Sequence, residues 1–471
     1  MERKNAWSKY SEDDKKKALM AFAEDYRKFI SENKTERECT SYFEAEAKKA
    51  GFVDLEEVIA KNGKLSAGDK VYRNNRGKGM ALFVLGEEDL ENGMNILGAH
   101  IDSPRMDLKQ NPLYEDTEMA LLDTHYYGGI KKYQWVTLPL ALHGVIVKKD
   151  NTVVKVSVGD KPGDPVFGVS DLLIHLSADQ LKKDGSTVVE GEDLNVLIGS
   201  MPLQEAVADA DEKEQKEQKE AVKANILKIL KDMYDVEEED FVSAEIEVVP
   251  AGEARDYGFD RSMIMGYGHD DRVCAYPSFK AILDTAPGKR SYACLLVDKE
   301  EIGSVGATGM ESRFFENTVA EVLHAMGKDG DLYVRRALAN SCALSSDVSA
   351  AFDPNYPSVM EKKNAAYFGK GLVFNKYTGS RGKSGSNDAS AEYMGQIRRI
   401  FDDAKVSYQT AELGKVDQGG GGTIAYILGN YAMSVIDSGV AVLNMHAPWE
   451  IISKVDLYEG YLGYIAFLQN A

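Results

Sequence analysis

The sequence predicts an α/β fold, a mostly parallel sheet covered on both sides by helices, with an inserted and largely β domain. Three observations carry this expectation. After Arg255, apolar strand-like runs alternate with helix-length segments, the rhythm of a parallel sheet with helical crossovers. The run 95–99 is apolar enough to be buried on both faces, as a central parallel strand must be. Between about Leu108 and Arg255 the texture changes to turn-punctuated strand candidates spotted with Gly and Asp. The expected domains are therefore 1–108 joined to 256–471, with an insertion at 109–255.

Taken in order, residues 11–34 repeat Leu19, Phe22, Tyr26, Phe29 and Ile30 at helical spacing among charges, and 40–50 predict a second helix. Residues 70–74, 79–85 and 95–99 read as strands. Inside the insertion, 135–138, 144–148 and 152–158 read as strands, and the charged run 205–223 as a solvated helix or loop. The rhythm then resumes with helix 271–286, strand 292–298, helix 314–326, strand 340–345, helix 386–402, strand 440–445 and helix 455–468.

A chain of 471 residues with 44% in the hydrophobic classes can bury a large core and hold two domains. Its 76 acidic against 56 basic side chains give a formal charge of -20, which repels phosphate backbones and anionic membranes, so neither nucleic acid nor a membrane is an expected partner. Cys39, Cys274, Cys294 and Cys342 are widely spaced without a CxxC pair, the pattern of buried free thiols. The first thirty residues lack the apolar stretch of a secretory signal, and no run approaches the length of a membrane span, so the expected location is cytoplasmic.

The chemistry-bearing residues cluster at strand ends. His100 closes the strand 95–99, and Asp102, two residues on, can accept its other imidazole N–H and raise its basicity as a metal ligand. Taken alone, a histidine near a buried strand is more often a structural residue. Asp270 and Asp271 stand at a turn leading into a helix, where acids also serve as caps. At 295–304 a buried strand runs straight into Glu300 and Glu301 and then a glycine; two carboxylates there cost desolvation unless cations compensate. Apolar strands also end in Asp347 and His446. Five such endings on one sheet, His100, Asp270, Glu301, Asp347 and His446, would converge on one crevice. With one carboxylate bridging, they supply three protein ligands to each of two ions. This nitrogen and oxygen set suits Zn2+, with Co2+ or Mn2+ feasible.

In order and at matching separations, the segments Ala-His-Ile-Asp-Ser-Pro-Arg (99–105), Gly-His-Asp-Asp-Arg (268–272), Asp-Lys-Glu-Glu-Ile-Gly-Ser (298–304), Ser-Ser-Asp (345–347) and Met-His-Ala-Pro-Trp-Glu (445–450) resemble the aspartyl aminopeptidase and vacuolar aminopeptidase I family of dinuclear metallopeptidases. The resemblance runs from the first helix to the last. It implies a zinc-peptidase-like fold in which His100 and Asp347 complete one metal site, Glu301 and His446 the other, and Asp270 bridges them. Asp102 would orient His100, Glu300 would be the general base, and the Asp270–Asp271 peptide would be cis. The insertion would be a dimerisation domain whose His175, within 172–176, enters a neighbouring subunit's pocket. Relatives assemble as homo-oligomers, dimers at least and further into tetrahedral dodecamers, so that only short peptides reach the sites. The implied reaction removes the amino-terminal residue of a short peptide, acidic or neutral.

Departures from the family bear on selectivity. Members selective for acidic residues carry histidines after the ligand aspartate, whereas this chain reads Ser-Ala-Ala-Phe-Asp at 349–353 and Asn364 later. Lys370 sits where the family places a pocket lysine, and the glycines at 419–422 would let a substrate backbone approach closely. His269 matches no ligand. A deacylase or carboxypeptidase on the same scaffold would want a guanidinium for a free carboxylate, with Arg381 and Arg398 as candidates. An inert assembly protein would have no chemical need for Glu300 beside five ligands.

Overall fold

The computed structural model describes residues 4–203, 220–380 and 382–471; most of the charged run expected at 205–223, and Arg381, lie outside them. The chain divides into two compact units. One comprises Met1–Ser103, Ala254–Met445 and Trp449–Ala471; the other comprises Pro104–Glu253 and His446–Pro448.

The first unit is built on a nine-stranded sheet. Its central strands, in spatial order Ser291–Val297, Met94–His100, Cys342–Ser346 and Ser434–Gly439, are all parallel. Antiparallel pairing attaches Met80–Val84 on one side and Leu372–Asn375 on the other, so the whole sheet is mixed around a parallel centre. Because side chains alternate along a strand, the centre feeds two apolar layers. Leu97, Cys294, Leu344 and Ile436 pack with Tyr26, Phe29, Phe43, Phe279, Phe401 and Tyr464. Their neighbours Ile96, Leu295, Ala343 and Val435 pack on the opposite face with Phe315, Val319, Leu323 and Leu428. Burial on both faces is why these strands are continuously apolar.

The helices follow local signals. Thr35 and Glu38 form a capping box, which starts the second helix at Glu36, four residues before the apolar spacing alone suggested. Ser390 caps Ala391–Asp403 through the Tyr393 amide, delaying that helix by five residues. The helix Asp331–Ala339 was not expected.

The strand expected at 440–445 needs correction. Only Ala441–Leu443 is extended, and it belongs to a separate five-stranded sheet with Arg255–Tyr257, Met263–Gly266, Glu450–Ser453 and Ser349–Ala350. The strand of the large sheet is Ser434–Gly439, which ends at a glycine because a Cβ there would collide with the Asp347 carbonyl. The five metal-competent side chains therefore do not all follow strands of one sheet.

The second unit carries a six-stranded, wholly antiparallel sheet in the order Val153–Val158, Leu140–Val147, Ala244–Pro250, Arg105–Asp116, Met119–Tyr127 and Val196–Gly199. A helix, Ala221–Tyr234, accompanies it. The strand expected at 135–138 does not form. Thr137 adopts a φ of 59°, which breaks an extended run, and strand pairing begins only at Leu140, after Pro139. Trp135 and Val136 are buried without being in a strand.

All four cysteines are free and buried. Among the described residues no helix is long and apolar enough to cross a membrane.

Asp437, in the central strand Ser434–Gly439, is buried and accepts a 2.5 Å hydrogen bond from Thr423 Oγ1. Burial pushes its carboxyl up to about 7 against the lowering effect of that bond. The folded state thus keeps a proton that the unfolded chain releases near the ordinary value of 3.8. Stability from this group is lost as pH rises from that value through about 7, at about 1.4 kcal/mol per pH unit. Asp437→Asn is expected to raise Tm relative to the parent chain at pH 8 and to leave it nearly unchanged at pH 4, as read by thermal unfolding at both values.

Candidate metal centre

Strand register creates the centre. Parallel pairing sets His100 beside Val297, so both strands release their chains at the same edge. From Val297 the chain passes Asp298 to Lys299, which takes a φ of 69°, and turns into the 3-10 segment Glu300–Ile302. The turn brings Glu300 and Glu301 to His100 together.

Asp102 ties the two chain segments together. His100 Nδ1 lies 3.0 Å from the Asp102 carbonyl oxygen and 3.2 Å from its Oδ1. The same carboxylate accepts the amides of Glu300 and Glu301, each at 3.2 Å. With Nδ1 engaged, Nε2 is the ring nitrogen that faces Asp270 Oδ1 at 3.2 Å and Glu300 Oε2 at 3.9 Å.

Asp270 is aimed by an unusual backbone. Gly268 has a φ of 77°, and a Cβ there would meet the Arg272 guanidinium at 2.5 Å and Ser103 Oγ at 2.8 Å. The Asp270–Asp271 peptide is cis. Neither acid caps the helix His269–Asp284; the Asp271 carboxylate instead accepts the His100 amide at 3.3 Å, and Ser103 Oγ donates to the Asp270 carbonyl at 2.7 Å. Asp347 follows the central strand Cys342–Ser346, with its amide on the Ser438 carbonyl.

Ligand atoms of His100, Asp270 and Asp347 lie within 4.8 Å of one another, as do those of His100, Glu300 and Glu301. Burial pushes the Asp347 carboxyl well above the usual carboxylate range, and the charges of Glu300 and Asp270 push it further, opposed by His100. Burial alone would depress His100, but contacts with Asp102 and Asp270 and the charge of Glu300 outweigh it and hold the imidazole well above the usual histidine range. A set of buried imidazole nitrogen and mutually repelling carboxylate oxygens, buried at Asp270 and half-buried at Glu300, Glu301 and Asp347, fits a divalent cation of the zinc class.

The remaining sequence candidates lie as follows. His446 belongs to the tripeptide that clusters with the second unit, with Nδ1 2.8 Å from the Gly129 carbonyl. His175 sits in the 3-10 turn Ile174–Leu176 and is exposed. Its neighbours Leu173, Ile174 and Leu176 are 57%, 65% and 70% exposed. Lys370 occupies a turn whose flanking amides, Gly369 and Gly371, donate to the buried carboxylate of Asp456 at 2.7 Å each. Arg398 lies on the exposed side of the helix Ala391–Asp403, whose inner residues are Ile397, Ile400 and Phe401. Sequence reasoning did not assign Asp271 or Ser103. Their adjacency to Asp270 and Asp102 was the available signal, but backbone contacts across the fold carry no motif.

Because Asp102 holds His100, Glu300 and Glu301 together, Asp102→Ala is expected to weaken zinc binding by about 10–100-fold, measured by chelator competition on the folded variant.

Known proteins are similar to this chain along its whole length. Residues 29–468 match the family described as aminopeptidase I zinc metalloprotease (M18). A Clostridium acetobutylicum protein named probable M18 family aminopeptidase 1 is 63% identical over 470 residues, covering 100% of this chain and 98% of the relative. The crystal structure of an M18 family aminopeptidase from Thermotoga maritima superposes with a TM-score of 0.92 at 44% identity, covering 100% of both chains. A more distant structure, the S. cerevisiae mApe1 dodecamer, shares the fold with a TM-score of 0.73 at 20% identity over 95% of this chain and 96% of that one. The chain belongs to the M18 family of aminopeptidase I zinc metalloproteases and is an aminopeptidase, a zinc-dependent hydrolase of peptide bonds at the amino terminus.

Proposed function

We propose that this aminopeptidase works with two zinc ions, His100 and Asp347 holding one, Glu301 and His446 the other, and Asp270 shared. The observation that carries this reading is the aim of His100: its Nδ1 is engaged by Asp102, and its Nε2 faces Asp270 in a buried cluster of acids. Covalent continuity supports the place of His446, since it follows directly on Met445 of the first unit, and its engaged Nδ1 leaves Nε2 for a metal. When bound, the ions lower the pKa of water by many units and polarise the scissile carbonyl.

The chain's own groups do the rest. Glu300 takes a proton from the attacking water and delivers it to the leaving amine as the C–N bond breaks. Its Oε2 lies 3.9 Å from His100 Nε2, within reach of a water held there. Asp102 holds His100 in the tautomer that leaves Nε2 unprotonated. The substrates on this reading are short peptides with an acidic or neutral amino-terminal residue. Behind Asp347 the chain offers Ala350, Ala351 and Phe352, the last stacked on Tyr367 at 5.3 Å, in place of histidines.

The second unit serves, on the same reading, as the dimerisation domain of a homo-oligomer, and the tetrahedral dodecamer is the proposed full assembly. An exposed turn of Leu172, Leu173, Ile174 and Leu176 around His175 is costly for an isolated chain and suits a contact with a second copy. There His175 would meet the negative charge that develops on the carbonyl oxygen in a neighbouring subunit.

Two experiments test this. Hydrolysis of Asp, Glu, Leu, Ala and Lys aminoacyl-nitroanilides, before and after chelation and zinc, cobalt or manganese add-back, should show metal-dependent release. In the same assay Glu300→Gln should keep about two zinc ions per chain and lose about 10²–10⁴-fold in kcat; loss of the metal with the activity would show that Glu300 is a ligand and not the base. His175→Phe should lower kcat by about 10²-fold without lowering Tm, and an unchanged rate would remove the trans role.

A further inference from the structure

The backbone of Asp270 is gripped at both ends. Ser103 Oγ donates to its carbonyl at 2.7 Å, and its amide donates to Glu450 Oε2 at 3.0 Å. Glu450 is 1% exposed. It opens the strand Glu450–Ser453, where the register sets it opposite Gly266, two residues before the turn at Gly268. The next strand residues, Ile451 and Ile452, are buried and apolar, so packing alone would favour another apolar side chain at 450. A carboxylate taken out of water costs several kcal/mol unless hydrogen bonds answer it.

The amide of Asp270 is a specific object to grip. Its residue has a non-helical ψ of 107° at the start of a helix, where the first amides have no partner within the helix to fix their orientation. A side chain whose base is anchored in a strand supplies that orientation from outside. The strand is well suited to it, because Glu450–Ser453 pairs with Met263–Gly266 on one side and Ala441–Leu443 on the other.

We propose that Glu450 is a positioning residue of the zinc centre: by accepting the Asp270 amide it fixes the backbone from which the bridging carboxylate is aimed. The assignment rests on the proposed dinuclear reading. Glu450 touches neither substrate nor metal on this account; it acts through Asp270, with Ser103 as its counterpart on the carbonyl. An acceptor at this place is what matters, so a neutral oxygen in the same position suffices.

The test uses the full chain with Glu450→Ala, Glu450→Gln and Glu450→Asp, reading zinc affinity by chelator competition alongside Tm and the separate values of kcat and KM. Glu450→Ala is expected to fold and to bind zinc about 10–100-fold more weakly. Glu450→Gln keeps an oxygen acceptor at full reach and is expected to recover most of that loss. Glu450→Asp keeps the charge but withdraws the oxygen by one methylene, and is expected to resemble Ala; it carries the comparison with Gln if the Ala variant does not fold. A purely structural role would lower Tm and leave zinc affinity alone. Parent-like zinc affinity in Glu450→Asp or in a folded Glu450→Ala overturns the proposal, as does a Gln variant that binds as weakly as Ala. If the parent chain itself takes up no zinc, the dinuclear reading fails first, a result distinct from any difference among the variants.

Discussion

The register between Met94–His100 and Ser291–Val297 is the constraint on which the site depends. A slip of one residue would turn His100 to the opposite face and carry Glu300 and Glu301 away from it. The register is secured by apolar chemistry, since Met94, Ile96, Leu97 and Ala99 of one strand and Tyr292, Ala293, Cys294, Leu295, Leu296 and Val297 of the other are shared between two helix-covered layers. Asp102 converts that register into a site. One buried carboxylate meets a ring nitrogen and two amides, so a strand end and a turn become one rigid object. Its desolvation is answered by those N–H groups and by the cationic character they confer on the imidazole side.

What was legible in the sequence follows from which forces are local. The central strands could be read because burial on both faces leaves an uninterrupted apolar run. The chemistry could be read because strands that end in His or acid, against the cost of burying them, announce a compensating cation. Boundaries set by side-chain caps were less legible, as at Thr35 and Ser390, where a hydrogen bond outweighs the apolar spacing. The apolar residues 135–138 resembled a strand, but the left-handed Thr137 followed by Pro139 overrode them. Sheet membership was not legible at all. Nothing in the pattern of 440–445 distinguishes a strand of the large sheet from Ala441–Leu443 of the small one, because both bury the same residue types.

Glu300 and Glu301 follow a strand that the apolar run predicts, but the turn that carries them leaves no mark in the pattern. The left-handed Lys299 introduces it and Gly303 closes it, and a 3-10 segment of three residues is too short to show an apolar period. The strand end was therefore legible, and the backbone that presents the two acids was not.

The same cluster links catalysis to stability. Asp271 and Asp347 are both pushed well above the ordinary carboxylate range by burial, with like charges from neighbouring acids adding to it, and Asp298 nearby is raised to about 6 by burial and the charges of Glu36 and Asp102. Left to themselves, such acids oppose folding by mutual repulsion as they ionise. A cation that binds only the folded arrangement reverses the sign: it favours the ionised ligands, and its binding free energy adds to the stability of the fold. These buried acids are then tolerated because the folded state that contains them is the one that binds metal.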